Sequence, residues 1–77
     1  MNKSCRRAMH KERGLARAVA YYTRVYRAFG CPRKMASAAG RADSSTQRCA
    51  SLLRDAERHE HKRLQLLDRI HGKLGCL

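Results

Sequence analysis

Two histidines flank a glutamate in the stretch ERHEHKR, residues 57–63, and such side chains can hold a metal ion or relay a proton. His59 and His61 are two positions apart, so on a regular helix they point about 200° apart and do not chelate one ion. An acid lies four residues before each of them, at Asp55 and Glu57, which is the spacing of ion pairs on a helix surface. We therefore interpret the two histidines as parts of a solvated helix face.

Glu60 differs from its neighbours because it falls on the apolar stripe of the same helix, with Ala56 and Leu67, while Arg63 lies at the edge of that stripe. A Glu60–Arg63 pair predicts a partly exposed polar layer that fixes the register of a helical dimer. The alternative is that the pair marks a contact with a partner. We favour the polar layer, because an unpaired buried carboxylate is costly.

Cysteine and histidine form a second candidate site at the two ends of the chain. Cys5-x4-His10 and His71-x4-Cys76 are mirror images, and if the ends meet, these four side chains could hold a structural zinc ion. Residues five apart on a helix point about 140° apart, so both ends would have to unwind. We therefore expect no cofactor and reduced cysteines at loosely packed termini, with zinc as the alternative.

Positive charge is concentrated in the first half of the chain. The net charge is +12, and residues 1–41 hold eleven Lys/Arg with a single acid, Glu12, whereas residues 42–77 hold seven with five acids. A basic patch favours a polyanion or an acidic protein surface as partner. A genome rich in arginine and alanine codons explains the preference for arginine over lysine, but not the uneven distribution of the acids.

The arginines of this half segregate from its apolar residues on a helical projection. Five apolar residues lie within about 40° of Leu15, namely Ala8, Val19, Tyr22, Tyr26 and Phe29. The opposite side, here called the arginine face, consists of Arg6, Arg13, Arg17, Arg24 and Arg27. This face is about 32 Å long at 1.5 Å per residue, close to one turn of a nucleic acid duplex. Tyr21 lies outside the apolar stripe near the arginines, where it could stack on a base.

The local signals predict an all-α fold in a single domain, residues 1–77. The chain has one proline and no tryptophan, and β-branched residues are few. Gly30 suits a helix C-cap, Pro32 prevents continuation, and Ser44 with Gln47 three residues later is a capping box. These signals predict two long helices at about 4–29 and 44–74 and a short helix at 32–39.

Antiparallel packing of the two long helices is supported by the spacing of cysteine and histidine. If the helices pack so that the numbers of two facing residues add up to about 81, three pairs face each other: Cys5 with Cys76, Cys31 with Cys49, and His10 with His71. The apolar stripe of the second helix comprises Cys49, Leu52, Leu53, Ala56, Leu64, Leu67, Ile70 and Leu74. A two-helix hairpin leaves part of each stripe uncovered, which predicts completion as a homodimeric four-helix bundle.

The sequence predicts neither a membrane span nor a secretory signal. No apolar run approaches the roughly 18 residues that a span requires, and Arg17, Arg24 and Arg27 interrupt the apolar residues behind the basic start. The default location is then the cytoplasm of a bacterial host cell. Disulfides at 5–76 and 31–49 are geometrically conceivable, but that compartment favours reduced thiols.

Patterns typical of enzymes are missing from the sequence, since it contains no glycine-rich phosphate loop, no HExxH and no CxxC. The chain is also short for enclosing a substrate cleft. The leading hypothesis is a small basic regulator that binds nucleic acid phosphates through the arginine face. The alternative is a phage- or mobile-element-type inhibitor or adaptor, such as an anti-CRISPR-like antagonist, that binds an acidic or nucleic-acid-binding host protein. A purely structural bundle subunit is a third possibility.

Overall fold

The computed structural model of this chain describes residues 2–37 and 43–76 and contains three helices in this part. Helix α1 spans Lys3–Ala28, α2 spans Cys31–Ser37 and α3 spans Ser44–His71, with no strand among the described residues. The predicted all-α fold with two long helices is confirmed. Residue 39, where the short helix was predicted to end, lies outside the described residues.

The two ends of α1 are set by local side-chain and backbone chemistry. Asn2 is the N-cap, and its Oδ1 accepts a hydrogen bond from the backbone N–H of Cys5 at 2.8 Å. At the other end Gly30 has a φ of 76°, a left-handed conformation that glycine adopts without steric penalty. The predicted helix stop at Gly30 is therefore confirmed.

Helix α3 begins where the sequence predicts, but a different residue caps it. Asp43 is the N-cap, and its Oδ1 accepts from the backbone N–H of Thr46 at 2.8 Å, while Ser44 is already the first helical residue. The predicted capping box of Ser44 and Gln47 is therefore wrong by one position. An aspartate cap satisfies one free N–H and also places negative charge at the positive end of the helix dipole.

Helices α1 and α3 pack antiparallel, and a disulfide lies at each end of the hairpin, one between α1 and the segment that follows α3 and one between α2 and α3. Cys5 is bonded to Cys76 with Cα atoms 5.7 Å apart, and Cys31 to Cys49 with Cα atoms 5.5 Å apart. The predicted register is confirmed at the two cysteine pairs, whereas the expectation of reduced thiols is wrong for this structure. The register itself is the physical reason, since it brings each pair of Cα atoms into the range of about 4.4–6.8 Å that a disulfide spans.

The apolar core is small and lies toward the open end of the hairpin. Ala8, Leu66 and Ile70 form its buried cluster, and Ile70 is only 1% exposed. The prediction for α3 counted Leu64 in the apolar stripe and omitted Leu66, yet Leu64 is 51% exposed. Leu66 lies about 40° from Ile70 around the helix and Leu64 about 120°, so the rotation that buries Ile70 also buries Leu66 and exposes Leu64.

A candidate nucleic-acid interface and its neighbouring polar sites

The arginine face lies on one uninterrupted helix, because all five of its residues fall within α1. Each of the five is exposed. Within the described part of the chain, Arg13, Arg17, Arg24 and Arg27 form no ion pair. Four guanidinium groups are thus available to an external anion, and the geometry of a regular helix keeps them on one side.

Glu12, the single acid of α1, is directed away from the arginine face. Its Oε1 accepts from Nη1 of Arg63 on α3 at 3.2 Å, and its side chain is 19% exposed. The negative charge of Glu12 is therefore neutralised at the contact between the two helices. As a result, no carboxylate of α1 competes with an anionic ligand for the arginines.

Tyr21 lies beside the arginine face and is 56% exposed, so its ring is available for stacking. Its ring and the ring of Tyr22 form an edge-to-face contact, with ring centroids 5.4 Å apart. Tyr22 is half-buried and packs on His59 of α3, with ring centroids 5.2 Å apart. The predicted division of the tyrosines, with Tyr22 facing the second helix and Tyr21 facing outward, is the arrangement that the structure shows.

The polar layer is an ion-pair network of three residues rather than the two that the sequence suggested. Arg63 donates to both carboxylate oxygens of Glu60, through Nε at 2.9 Å and Nη2 at 2.5 Å, in addition to its bond to Glu12. The Arg63 and Glu60 side chains are 25% and 35% exposed, so the layer is partly open to solvent. These hydrogen bonds hold the pKa of Glu60 below its ordinary value of 4.5 and raise the pKa of Arg63.

Sequence reasoning missed Glu12 because its partner is 51 residues away in the chain. One signal could have identified it, namely that it is the single acid among the first 41 residues. A second missed feature is the ring of Phe29, which has Lys34 Nζ at 3.7 Å and the Arg48 guanidinium at 5.4 Å from its centroid. These cation–π contacts join all three helices at the closed end of the hairpin.

The two histidines of the stretch ERHEHKR lie on different sides of α3, as their spacing of two residues predicted. His59 is half-buried, and its Nδ1 donates to the backbone carbonyl of Asp55 at 2.7 Å, whereas His61 is exposed. The carboxylate of Asp55 instead accepts from Arg58 at 2.9 Å. The predicted surface pair between His59 and the Asp55 side chain is therefore replaced by a backbone contact.

At the open end of the hairpin, the Cys5–Cys76 bridge occupies the position where the zinc hypothesis would require two thiolates. His10 and His71 are both exposed. No group of three or more potential ligands that could hold a metal ion occurs within residues 2–37 and 43–76. A zinc site formed by these four residues stays a prediction that applies only to the reduced protein.

No protein-family model matches this sequence, and neither the curated proteins nor the solved structures that were compared with it give a significant match. In the described part of the chain, no helix is both long enough and apolar enough to cross a membrane.

Proposed function

We propose that this protein is a non-enzymatic regulator that binds nucleic acid through the arginine face of α1, mainly by contacts to phosphates. One observation carries the proposal: the arginines are exposed along one side of a single helix while its one acid, Glu12, is paired on the other side. Arginines on one straight helix face need not reach base edges, so we expect binding with little sequence preference.

The salt dependence of binding tests this proposal. Four neutralised phosphates, one for each of Arg13, Arg17, Arg24 and Arg27, correspond to a slope of about −3.6 per chain for log K against log salt concentration on duplex DNA. The assay is a fluorescence anisotropy titration of a labelled duplex at several salt concentrations. Binding that does not depend on salt, or no binding at low salt, contradicts the proposal.

A matched pair of variants distinguishes the contribution of the arginine face to DNA binding from that of the net charge of the protein. The face variant replaces three of its arginines by glutamine, at Arg13, Arg17 and Arg24. The control variant removes the same charge from exposed positions of α3, at Arg54, Lys62 and Arg69. With one phosphate contact left, the face variant should give a slope of about −0.9, whereas the control should keep a slope of about −3.6. Equal losses in both variants would assign the binding to net charge alone.

A protein partner is the second candidate, and the exposure of Tyr21 beside the arginines favours it. Tyrosine and arginine are enriched at the energetic centres of protein interfaces. Such a partner would be an acidic or nucleic-acid-binding host protein that the arginine face contacts in place of nucleic acid. A pull-down from nuclease-treated lysate discriminates the two, because a stoichiometric protein that persists supports this candidate and its absence supports nucleic acid.

We further propose that two copies associate into a four-helix bundle. The hairpin measures 50 × 19 × 15 Å with a radius of gyration of 16.2 Å, against about 11.5 Å for a compact domain of this length. Its accessible surface is 5870 Å², against about 4800 Å² for a compact monomer of the same mass. The excess of about 1000 Å² is similar to the roughly 800 Å² that each partner buries in a standard interface.

The exposed leucines of α3 are the side chains that such an interface would bury, with Leu53 at 38% and Leu64 at 51% exposure. Sedimentation equilibrium should give twice the chain mass of 8.8 kDa. Leu64→Glu should return the protein to a monomer without loss of helix, because this side chain adds little to the core of one hairpin. A wild-type protein that is monomeric at high micromolar concentration contradicts the dimer.

The two disulfides are relevant to the cell compartment in which this protein would act. Structural disulfides persist in oxidising compartments and are rare in the cytosol. The bridges therefore favour an oxidising compartment over the cytoplasm that the sequence suggested. Trapping of free thiols with an alkylating reagent at the moment of cell lysis, followed by mass spectrometry, distinguishes the bridged protein from the reduced one.

A further inference from the structure

A second cationic surface lies in the groove between α1 and α3, at the open end of the hairpin. Two adjoining cavities of about 610 and 280 Å³ share the residues Lys11, Leu66 and Arg69, so they form one continuous groove. Along α1 this groove extends from Ser4 to Leu15, which is about 16 Å at 1.5 Å per residue. We call it the cationic groove.

The floor of the cationic groove is apolar. It is formed by Ala8 and Leu15 of α1, Leu66 of α3, and Leu74 of the segment that follows α3. Ala8 and Leu66 are buried members of the core cluster, and Leu15 and Leu74 pack against that cluster while staying partly open to solvent. An apolar ligand lying on this floor would extend the core of the protein and lose its own contact with water.

The walls of the groove are positively charged. Arg7 and Lys11 come from α1, and Lys62 and Arg69 come from α3, with Asp68 as the one acid that lines it. None of these four cations forms an ion pair with another described residue. Four cations around an apolar floor complement a ligand that joins an anionic group to a hydrocarbon chain.

We propose that the cationic groove binds one molecule of a long-chain anionic amphiphile, of the fatty-acid class. Its carboxylate would pair with the wall cations and its alkyl chain would lie on the leucine floor. The larger cavity, of about 610 Å³, falls in the range of about 300–1000 Å³ that small-molecule sites occupy. A helix of a partner protein fits less well, because a groove about 16 Å long matches only about three helical turns, whereas a specific interface buries at least about 1000 Å² in total.

This inference is independent of the proposed function, because it uses residues outside the arginine face. The test is isothermal titration calorimetry with monomeric oleate, at physiological salt so that long-range attraction is screened. One oleate per chain should bind. The neutral glycerol ester of oleic acid, which keeps the same chain, should bind about tenfold more weakly, because it has no charge to pair with the walls.

Two double variants, each with two positive charges fewer than the wild type, test whether oleate binding depends on the cationic groove. Lys11→Gln with Lys62→Gln should weaken oleate binding about tenfold and leave duplex DNA binding nearly unchanged. Arg13→Gln with Arg17→Gln should do the reverse. All four side chains are exposed, so both variants should fold. If the two variants lose oleate binding equally, the attraction is a general property of a basic protein and the site is refuted.

Two further outcomes overturn the proposal. Absence of oleate binding contradicts the site itself. Equal affinity for oleate and for its neutral ester would mean that the wall cations do not contribute to binding. Binding to phosphatidylglycerol vesicles without binding of monomeric oleate would assign this face to a membrane surface instead of a single ligand. Amide chemical shifts place the ligand directly, since oleate should perturb Lys11, Leu66 and Arg69 and leave Arg24 and Arg27 unchanged.

Discussion

Removal of the disulfides should destabilise this protein far more than loss of any single contact in its small core. Each bridge raises the free energy of the unfolded chain by lowering its conformational entropy. This effect is about 3 kcal/mol for Cys31–Cys49, which are 18 residues apart, and about 4 kcal/mol for Cys5–Cys76, which are 71 residues apart. Their sum of about 7 kcal/mol lies within the range of about 4–12 kcal/mol expected for the whole stability of a 77-residue chain. Full reduction should therefore leave the chain largely unfolded.

The perturbation is a pair of double variants, Cys31→Ala with Cys49→Ala and Cys5→Ala with Cys76→Ala, each of which keeps the other bridge. Urea unfolding followed by far-UV circular dichroism under non-reducing conditions gives the free energy of each. A loss of about 3 kcal/mol should lower the melting temperature by about 12–24 °C in a chain of this size. Because Cys31 and Cys49 are 0% exposed, their truncation adds the cost of a small cavity.

The same experiment in the presence of a reductant serves as the control, since it removes both bridges without changing a residue. If each double variant loses less than about 1 kcal/mol, the reasoning from chain entropy is refuted. A reduced wild type that unfolds cooperatively at its original midpoint refutes it equally. Either result would mean that the packing of α1 on α3 suffices to hold the hairpin.

Three further predictions concern glycine, a helix cap and the polar layer. Gly30→Ala should lower the free energy of unfolding by about 1 kcal/mol, because the φ of Gly30 is 76°. Gly14→Ala should raise it by up to about 1 kcal/mol, since a Cβ at this helical position meets no atom within 4 Å. Chemical denaturation of both variants checks these opposite signs. Asp43→Ala should cost about 1 kcal/mol through loss of the N-cap of α3, measured in the same way. Arg63→Gln should destabilise the protein at neutral pH and progressively less in acid. The folded pKa of Glu60 lies below 4.5, so the stabilisation is present above that pH and is lost as the pH falls through the folded value. Urea midpoints of wild type and variant should therefore converge below pH 4.5, and a constant difference would contradict this account.

The arginine face was predictable residue by residue, because five arginines on one uninterrupted helix are placed by helical angle alone. The polar layer was only half predictable. Glu60 and Arg63 are three residues apart on α3, a spacing that local geometry brings together. Glu12 joins them only because α1 packs against α3 in one register. The cationic groove was not predictable at all, since its walls come from two helices and each half is an ordinary basic surface by itself.

The sequence by itself determined the elements of this protein and the sides of its first helix. Glycine, proline and the capping residues act within a few positions of themselves, and a repeat of 3.6 residues per turn fixes which side chains share a face. The nested cysteines also fixed the antiparallel register. Tertiary structure decided how α3 is rotated, which leucine it buries, which carboxylates meet Arg63, and that the cysteines are bridged. Each of these depends on the distance between residues far apart in the chain, and that distance is set only when one helix packs on the other.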